Sequence, residues 1–219
     1  MSASHVLGRG PVAAPGYPFI GVAGGLTLVF YFLNWGLLAF LGLVATALLL
    51  NFFRNPQRDV PASDLAAIVS PADGKVILTD EVQEHEFLCT PARRVAIFMN
   101  VFDVHVNRAP VAGRIVTSRH RAGKFLAAFK EEAERTNEQQ AMLWETAAGP
   151  RVLTVQIAGL LARRIVPAVK EEDVLAKGAP FGMICFGSRV DLYLPQNCAI
   201  IAKVGDRVRA GESIVARWS

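Results

Sequence analysis

The feature that most constrains this chain is an apolar stretch without a charged residue, residues 18–50. One helix of that length would reach roughly 50 Å, well beyond a hydrocarbon core of ~30 Å. Asn34 and Trp35 stand at its middle, and Arg9 and Arg54 flank it. We therefore expect a retained helical hairpin in the membrane, with both ends in the cytoplasm. A cleaved signal peptide is the alternative, but the run is too long and no convincing small-residue cleavage site closes it.

Composition narrows the class of protein further. With 52% apolar residues in 219, the chain can bury one core in addition to an anchor. The formal net charge is +4, but Lys and Arg are scattered, which excludes a nucleic-acid tail. Cys89, Cys185 and Cys198 are odd in number and lack CxxC spacing. This argues against a disulfide framework or a thiolate zinc site and favours a reducing compartment, with the folded domain on the cytoplasmic side of the cell membrane.

The pattern after the anchor predicts a mainly β domain (α+β). Residues 54–65 are polar and contain two prolines, so we interpret them as a linker between an anchor, residues 1–53, and a folded domain, residues 66–219. A helix is expected over residues 123–140. Strands are expected where short apolar runs have period-two character, at residues 75–79, 95–102, 113–118, 152–158, 164–169, 182–185, 190–194 and 198–204.

Two pairs of segments indicate an internal repeat. KEEDVLAKG at 170–178 matches KVGDRVRAG at 203–211 in its Lys, Asp and Gly positions, and PADGKV at 71–76 matches PVAGRI at 110–115. We therefore expect two similar halves. The turns resemble those of biotinyl and lipoyl carrier modules, which implies a flattened β-barrel or sandwich built from related hairpins. The carrier function is not implied, because no Met-Lys or Asp-Lys lies at a hairpin tip between the halves.

Several short motifs follow one another along nearly the whole chain. They are FFRNP at 52–56, SPADGKV at 70–76, FMNVFDVHVNRAP at 98–110, GKF at 123–125, NEQ at 137–139, QIAGLLARRIV at 156–166 and FGSRVDLYLP at 186–195. Together they resemble the phosphatidylserine decarboxylase family in its short bacterial and archaeal form, and the last motif is similar to that family's self-cleavage site. Gly-Ser alone would carry no weight, but independent motifs in the right order are specific.

The resemblance implies a self-cleaving proenzyme. The Ser188 hydroxyl would attack the carbonyl of Gly187 and turn the peptide bond into an ester, and β-elimination would then cut the chain. Residues 1–187 and 188–219 would form a heterodimer, and Ser188 would become a covalent pyruvoyl group, with no metal implied. Gly187 suits this attack because it has no side chain to block approach and can hold a strained backbone.

A serine hydroxyl is a weak nucleophile, so it needs a base, and the base needs an orienting carboxylate. By resemblance, His105 and Asp73 are those partners. The pyruvoyl keto group would form a Schiff base with the amine of phosphatidylserine and accept the electrons released as carbon dioxide leaves. His105 is the obvious acid to protonate the resulting carbanion, which leads to phosphatidylethanolamine.

The chain departs from the longer family members, which carry LGST at the cleavage site and a HxxH pair. Arg189 stands in place of the Thr, and Arg108 stands where the second His would fall. Either His105 serves both self-cleavage and decarboxylation, or a group elsewhere acts.

Four further residues are candidates for substrate binding. Asn137 and Glu138 of the NEQ motif either bind substrate or cap a helix. Arg163 and Arg164 either meet the lipid phosphate or form a solvated strand end.

Other functions stay open at this point. Archaetidylserine or another seryl lipid would change the tails of the substrate and leave the head chemistry untouched. A membrane-tethered β-barrel adaptor without catalysis would explain the anchor and the repeated turns, but it gives no reason for Gly187, Ser188, Asp73 and His105 together. A family member without activity would explain the missing second His. The expected partners are the membrane lipid and the chain's own cleavage products; homo-oligomers are compatible with this, and nucleic acid is not.

Overall fold

A computed structural model of the chain describes residues 6–8, 10–124, 126, 136–159, 165–185 and 187–219. The chain begins with two apolar helices. These are α1 (Tyr17–Phe32) and α2 (Gly36–Phe52), which pack against each other. The turn between them contains Asn34, whose φ of 61° lies in the left-handed region that a short polar side chain tolerates.

Most large apolar side chains of the two helices are exposed. The segment Ala14–Phe32 is apolar and long enough to cross a membrane, and only 6% of its most apolar window is buried. The shorter helix α2 is also apolar. Exposed apolar surface of this extent is unusual on a soluble protein and is typical of a surface that contacts lipid or another protein.

The described residues after Leu65 form strands in three antiparallel sheets, which confirms the predicted mainly β class. The sheet orders are β1-β14-β12, β4-β10-β8 and β13-β2-β3-β11-β7-β6-β5-β9. The strands are β1 (Ala67–Val69), β2 (Gly74–Gln83), β3 (Pro91–Met99), β4 (Val106–Arg108), β5 (Gly113–Arg121), β6 (Gln139–Glu145), β7 (Arg151–Ala158), β8 (Ile165–Pro167), β9 (Val174–Leu175), β10 (Pro180–Ile184), β11 (Ser188–Pro195), β12 (Cys198–Ile200), β13 (Arg207–Val208) and β14 (Ile214–Trp218).

Each of the eight predicted strand segments overlaps an observed strand, but four predictions extend past the carboxyl end of that strand, two of them by three residues or more. β3 ends at Met99 rather than at residue 102, and β12 ends at Ile200 rather than at residue 204. The helix predicted over residues 123–140 is wrong at its carboxyl end, because Gln139 and Gln140 begin β6. Most of the rest of that segment lies outside the described residues.

The sequence repeat corresponds to a repeated structure. The backbone N–H of Lys170 donates to Oδ2 of Asp173 at 3.0 Å, and that of Lys203 donates to Oδ2 of Asp206 at 2.9 Å. Each turn is followed by a two-residue strand, β9 or β13, which pairs with the beginning of β5 or β2. The carboxylate closes its own turn in both copies, which explains why Asp recurs at this position.

Strand β11 lies at the centre of the large sheet, between β3 and β7. Val190, Leu192 and Leu194 of this strand are buried in the main apolar core. Arg189 and Asp191 therefore point to the opposite face, since side chains alternate along a strand. There they form a buried ion pair, with Nε of Arg189 at 2.5 Å from Oδ1 of Asp191. The Arg that replaces the Thr of longer relatives thus has a structural partner two residues away.

The predicted linker is firmly attached to the β domain. Arg108 of β4 donates to Oδ1 of Asn55 at 2.8 Å and to the carbonyl oxygen of Pro56 at 2.9 Å. Further along, Asp64 pairs with Arg217 at 2.7 Å. A segment held by buried side chains of the domain has a fixed path, so the helices leave the β domain at a defined place.

Candidate active site

The proposed cleavage bond lies in a short connection between two sheets. β10 ends at Ile184 in the small sheet, and β11 begins at Ser188 in the large one. Gly187 has a φ of 66°, a conformation that favours glycine, and no described heavy atom lies within 4 Å of the place that a Cβ would occupy. Ser188 is completely buried. The connection therefore combines left-handed backbone with a side of Gly187 that no described residue fills.

Antiparallel pairing brings several strand ends to the same edge as Ser188. Ser188 is opposite Met99, the last residue of β3, and opposite Ala158, the last residue of β7. β2 runs antiparallel to β3 and begins at Gly74. Asp73 comes directly before that strand, so it lies at this same edge of the large sheet.

His105 is completely buried just before β4. Its Nδ1 lies 2.9 Å from the carbonyl oxygen of Asp103. A carbonyl oxygen only accepts, so Nδ1 carries the proton and Nε2 carries the lone pair. Nε2 is buried and has no hydrogen-bond partner among the described residues. The imidazole therefore presents an unused basic nitrogen.

The surroundings of His105 keep the imidazole neutral. Burial lowers the pKa of His105 from 6.5 to about 4; the hydrogen bond to Asp103 opposes this, and the positive charge of Arg54 adds to it. The ring of Phe52 lies against the imidazole, with centroids 4.2 Å apart. At neutral pH Nε2 is therefore unprotonated and can accept a proton, although the low pKa makes His105 a weaker base than an ordinary histidine.

Short contacts connect the strand of His105 with the cleavage segment. The backbone N–H of Ile184 reaches the carbonyl oxygen of His105 at 3.4 Å. Two residues after His105, Nδ2 of Asn107 lies 3.6 Å from the sulfur of Met99, and Oγ of Ser188 lies 3.7 Å from the same sulfur. Met99 thus separates Ser188 from Asn107 in a shared buried cluster.

Asp73 has partners other than His105. Nη2 of Arg58 donates to both of its carboxylate oxygens at 2.9 Å, and the backbone N–H of Ala210 donates to Oδ1 at 2.7 Å. Arg58 also lies 3.6 Å from Glu212. Within the described part of the chain, no hydrogen bond joins Asp73 to His105, whose orienting partner is the Asp103 carbonyl. The relay between these two residues stays a prediction.

Arg108, the residue in place of a second His, belongs to the same charged cluster as Asp73. It is buried, and burial, followed by the neighbouring Arg58 guanidinium, lowers its pKa, while Asp73 and Glu212 act in the opposite direction. Its guanidinium donates to the carbonyl oxygen of Gly178 at 3.1 Å, in addition to its linker contacts. Sequence reasoning missed this cluster because nothing in the linker motif identifies Arg58 as a partner of Asp73.

Of the four remaining candidates, the structure describes Asn137 and Glu138. Asn137 uses its side chain for structure, since Nδ2 donates to the carbonyl oxygens of Leu126 and Ala158 at 2.8 and 2.7 Å. Oε1 of Glu138 lies 3.1 Å from Nε2 of His120. Arg163 and Arg164 lie outside the described residues.

Comparison with known proteins gives a consistent result. The sequence model of the family described as phosphatidylserine decarboxylase matches residues 45–216. The chain is 48% identical over 204 residues to the phosphatidylserine decarboxylase proenzyme of Syntrophus aciditrophicus, covering 92% of this chain and 95% of that protein. It is 46% identical over 207 residues to the proenzyme of Desulfotalea psychrophila, covering 94% and 96%. The chain belongs to the phosphatidylserine decarboxylase family.

Proposed function

We propose that this chain is a proenzyme that cuts itself between Gly187 and Ser188 and then decarboxylates phosphatidylserine to phosphatidylethanolamine. The observation that carries the proposal is a left-handed Gly187 directly before a buried Ser188, on a strand connection that hydrogen-bonds to the backbone of His105. Family membership supports the reaction, since the matched relatives are named as proenzymes of this decarboxylase.

Self-cleavage requires only groups of the chain and water. Oγ of Ser188 attacks the carbonyl carbon of Gly187, and the acyl group moves from nitrogen to oxygen. Removal of the Cα proton of Ser188 breaks its Cβ–Oγ bond, so Gly187 leaves as a carboxylate. The enamine that stays on the second chain takes up water and releases ammonia, which gives the pyruvoyl group. The left-handed φ of Gly187 and the open space beside it leave room for the attack.

His105 supplies the base in this proposal. Its Nε2 carries a lone pair at neutral pH because burial holds the pKa near 4, and its Nδ1 is fixed by the Asp103 carbonyl. A neutral, oriented imidazole can take a proton from a serine hydroxyl without a carboxylate relay. Asp73 would act from the same sheet edge, where its charge is balanced by Arg58.

The site suits a covalent cofactor made in place. A pyruvoyl group derived from Ser188 uses atoms that are already packed at the amino end of β11, so it needs no additional cavity. Once formed, it supplies an electron sink for loss of a carboxylate as carbon dioxide. The chain's own contribution is a buried setting and a neutral His105 whose Nε2 can take up a proton and later return it. Glu138, Arg163 and Arg164 stay as proposed substrate contacts, whereas the side-chain amide of Asn137 already bonds to backbone groups, so any contact of Asn137 with substrate would have to displace them.

The fold also supports a stable complex of the two products. β11 belongs to the second product, residues 188–219, and pairs with β3 and β7 of the first along nearly its whole length.

We further propose that residues 1–53 anchor the enzyme in the membrane and that residues 54–65 connect this anchor to the catalytic domain, residues 66–219. The catalytic domain would lie on the cytoplasmic side. A lipid with two acyl chains would stay in the bilayer while its head group reaches the site. The two repeated halves would form the flattened barrel expected from the sequence.

To test this, the purified full chain is incorporated into vesicles. The vesicles contain phosphatidylserine that is labelled at the carboxyl carbon of its serine. We expect labelled carbon dioxide and an equal amount of phosphatidylethanolamine. Ser188→Ala should give neither, whereas Ser219→Ala, at an exposed position in the same small product, should keep full activity. Cleaved wild-type protein that releases no carbon dioxide from this lipid would contradict the substrate assignment. The ether-linked archaeal counterpart, assayed in parallel, separates the two lipid classes.

A further inference from the structure

The carboxyl end of α2 differs from the rest of the apolar helices. The large apolar side chains along both helices are mostly exposed, but Phe52 is 4% exposed and Phe53 is completely buried. The ring of Phe52 lies 4.2 Å from the His105 ring, centroid to centroid, with the planes tilted by 36°. The last turn of an apolar helix therefore contacts the proposed catalytic base directly.

The helix end is held in place from the other side. Phe53 packs edge-on against Phe52, with centroids 5.0 Å apart, and a Cβ on Gly16 would lie 2.3 Å from the Phe53 ring. The backbone N–H of Ala13 donates to the carbonyl oxygen of Phe53 at 2.7 Å. These contacts hold the end of α2 against the segment that precedes α1, and only a glycine fits at residue 16.

Phe52 restricts what His105 can do. One imidazole nitrogen is used by the Asp103 carbonyl, and a face of the ring is covered by the Phe52 ring, so the buried Nε2 is the atom left for chemistry. A ring packed between an aromatic face and a backbone acceptor cannot rotate without losing both contacts. The same packing excludes water from the imidazole face.

We propose that Phe52 is a positioning residue for His105, so that the end of the membrane helix completes the active site. This inference rests on the proposed function, in which His105 is the base. It gives the apolar helices a second role besides anchoring. The helix that lies in the membrane with the substrate would then orient the His105 imidazole through a single aromatic contact, that of Phe52.

The charged surroundings of His105 define the pH behaviour to be expected. Arg54, two residues after Phe52, contributes a positive charge that favours the neutral imidazole. The Asp103 carboxylate is already engaged by Arg207 at 3.0 Å and by the Asn100 backbone N–H at 2.9 Å. The apolar cluster around Phe52 includes Val104, Val106 and Met183, which carry no titratable group, and the thiol of the half-buried Cys185 packs against it. Removing the Phe52 ring should therefore admit water and raise the pKa of His105.

The first measurement is the pKa of His105 in the uncut Ser188→Ala chain, from nitrogen NMR of labelled histidine in micelles. Phe52→Leu should raise that pKa by about two units, from about 4 to about 6, toward the ordinary value. Phe52→Met, which fills the space with an unbranched side chain, is the second variant in case Phe52→Leu does not fold. Phe53→Leu is the matched control, because it removes the neighbouring buried ring, which packs on Phe52 and Gly16, and it should shift the pKa of His105 clearly less than Phe52→Leu does.

The second measurement is the self-cleavage rate with Ser188 present. With a pKa raised to about 6, Phe52→Leu should lose about fourfold in rate between pH 7.5 and 5.5, while wild type and Phe53→Leu stay level. An unchanged pKa in both Phe52 variants, or an equal shift in Phe53→Leu, would overturn the inference. So would a shifted pKa without any change in the pH profile. If wild type does not cleave at all, the proposed function fails, whereas the titration still decides whether Phe52 controls His105.

Discussion

Replacing Arg58 by Met should destabilise the β domain much more than the same replacement at Arg209. The side chain of Arg58 is 6% exposed; its Nη2 donates to both oxygens of Asp73 at 2.9 Å, and its Nη1 lies 3.6 Å from Glu212. Arg209 pairs with the same Glu212 at 3.7 Å, but its side chain is 73% exposed. The two variants remove the same chemical group from a buried and an exposed setting.

The expected magnitude follows from what each variant leaves behind. Removing one partner of a buried ion pair typically costs about 3–5 kcal/mol, because the other charge stays buried. Asp73 keeps the backbone N–H of Ala210 at 2.7 Å, so we expect the lower end, about 3 kcal/mol. The exposed pair of Arg209 contributes about 0–1 kcal/mol. For a chain of this length, about 3 kcal/mol lowers Tm by roughly 6–12 °C.

The assay is urea unfolding in detergent, with Ser188→Ala in every sample so that all chains are uncut. Tryptophan fluorescence follows the unfolding, and Trp144, one of three tryptophans, is completely buried in the large sheet. Arg58→Met should lower the free energy of unfolding by about 3 kcal/mol, and Arg209→Met by less than about 1 kcal/mol. If the two variants lower the free energy of unfolding equally, the Arg58–Asp73 pair is no more buried than the Arg209–Glu212 pair, and the prediction is wrong.

Three further predictions test other parts of the structure. Gly74→Ala should destabilise the protein severely, since the φ of Gly74 is 148° and a Cβ there would lie 2.1 Å from a backbone carbonyl oxygen. Gly149 has a φ of 96°, and no described atom lies within 4 Å of the place of its Cβ, so Gly149→Ala should lower the free energy of unfolding clearly less in the same urea assay. Self-cleavage followed by gel should keep its pH 7.5 rate at pH 5.5, because a pKa of about 4 leaves His105 neutral at both values; a histidine with the ordinary pKa of 6.5 would lose about tenfold. Iodoacetamide at pH 8 should alkylate the exposed Cys89 and spare Cys198, because burial raises the pKa of Cys198 to about 11. Peptide mass spectrometry measures the modification, and equal modification of the two cysteines would contradict this prediction.

The central strands and the repeat could be predicted because their signals are local. Val190, Leu192 and Leu194 alternate with other residues, and this period specifies a strand without knowledge of its neighbours. The Lys and Asp of each repeated turn interact within four residues, so the sequence contains the whole motif. Four strands of two or three residues, β1, β4, β9 and β13, have no predicted counterpart because so short a segment shows no period. The longer strands β6 and β14 have none either.

The misplaced helix end and the site contacts have a different cause. Gln139 and Gln140 follow a charged run that favours a helix, but pairing with β5 and β7 places them in a strand. Tertiary pairing overrides local preference in such cases. Likewise, Phe52 and Arg58 come close to His105 and Asp73 only because the linker follows a fixed path over the domain. No spacing in the sequence indicates those contacts.

The most direct test of the account is the intact mass of the purified full chain, measured beside Ser188→Ala. The account predicts two masses for the wild type, one for residues 1–187 and one for residues 188–219 with a pyruvoyl group at the amino end. The variant should show the single mass of the complete chain of 219 residues. A single complete chain in both samples, with the β domain folded, would contradict self-cleavage and with it the proposed enzyme.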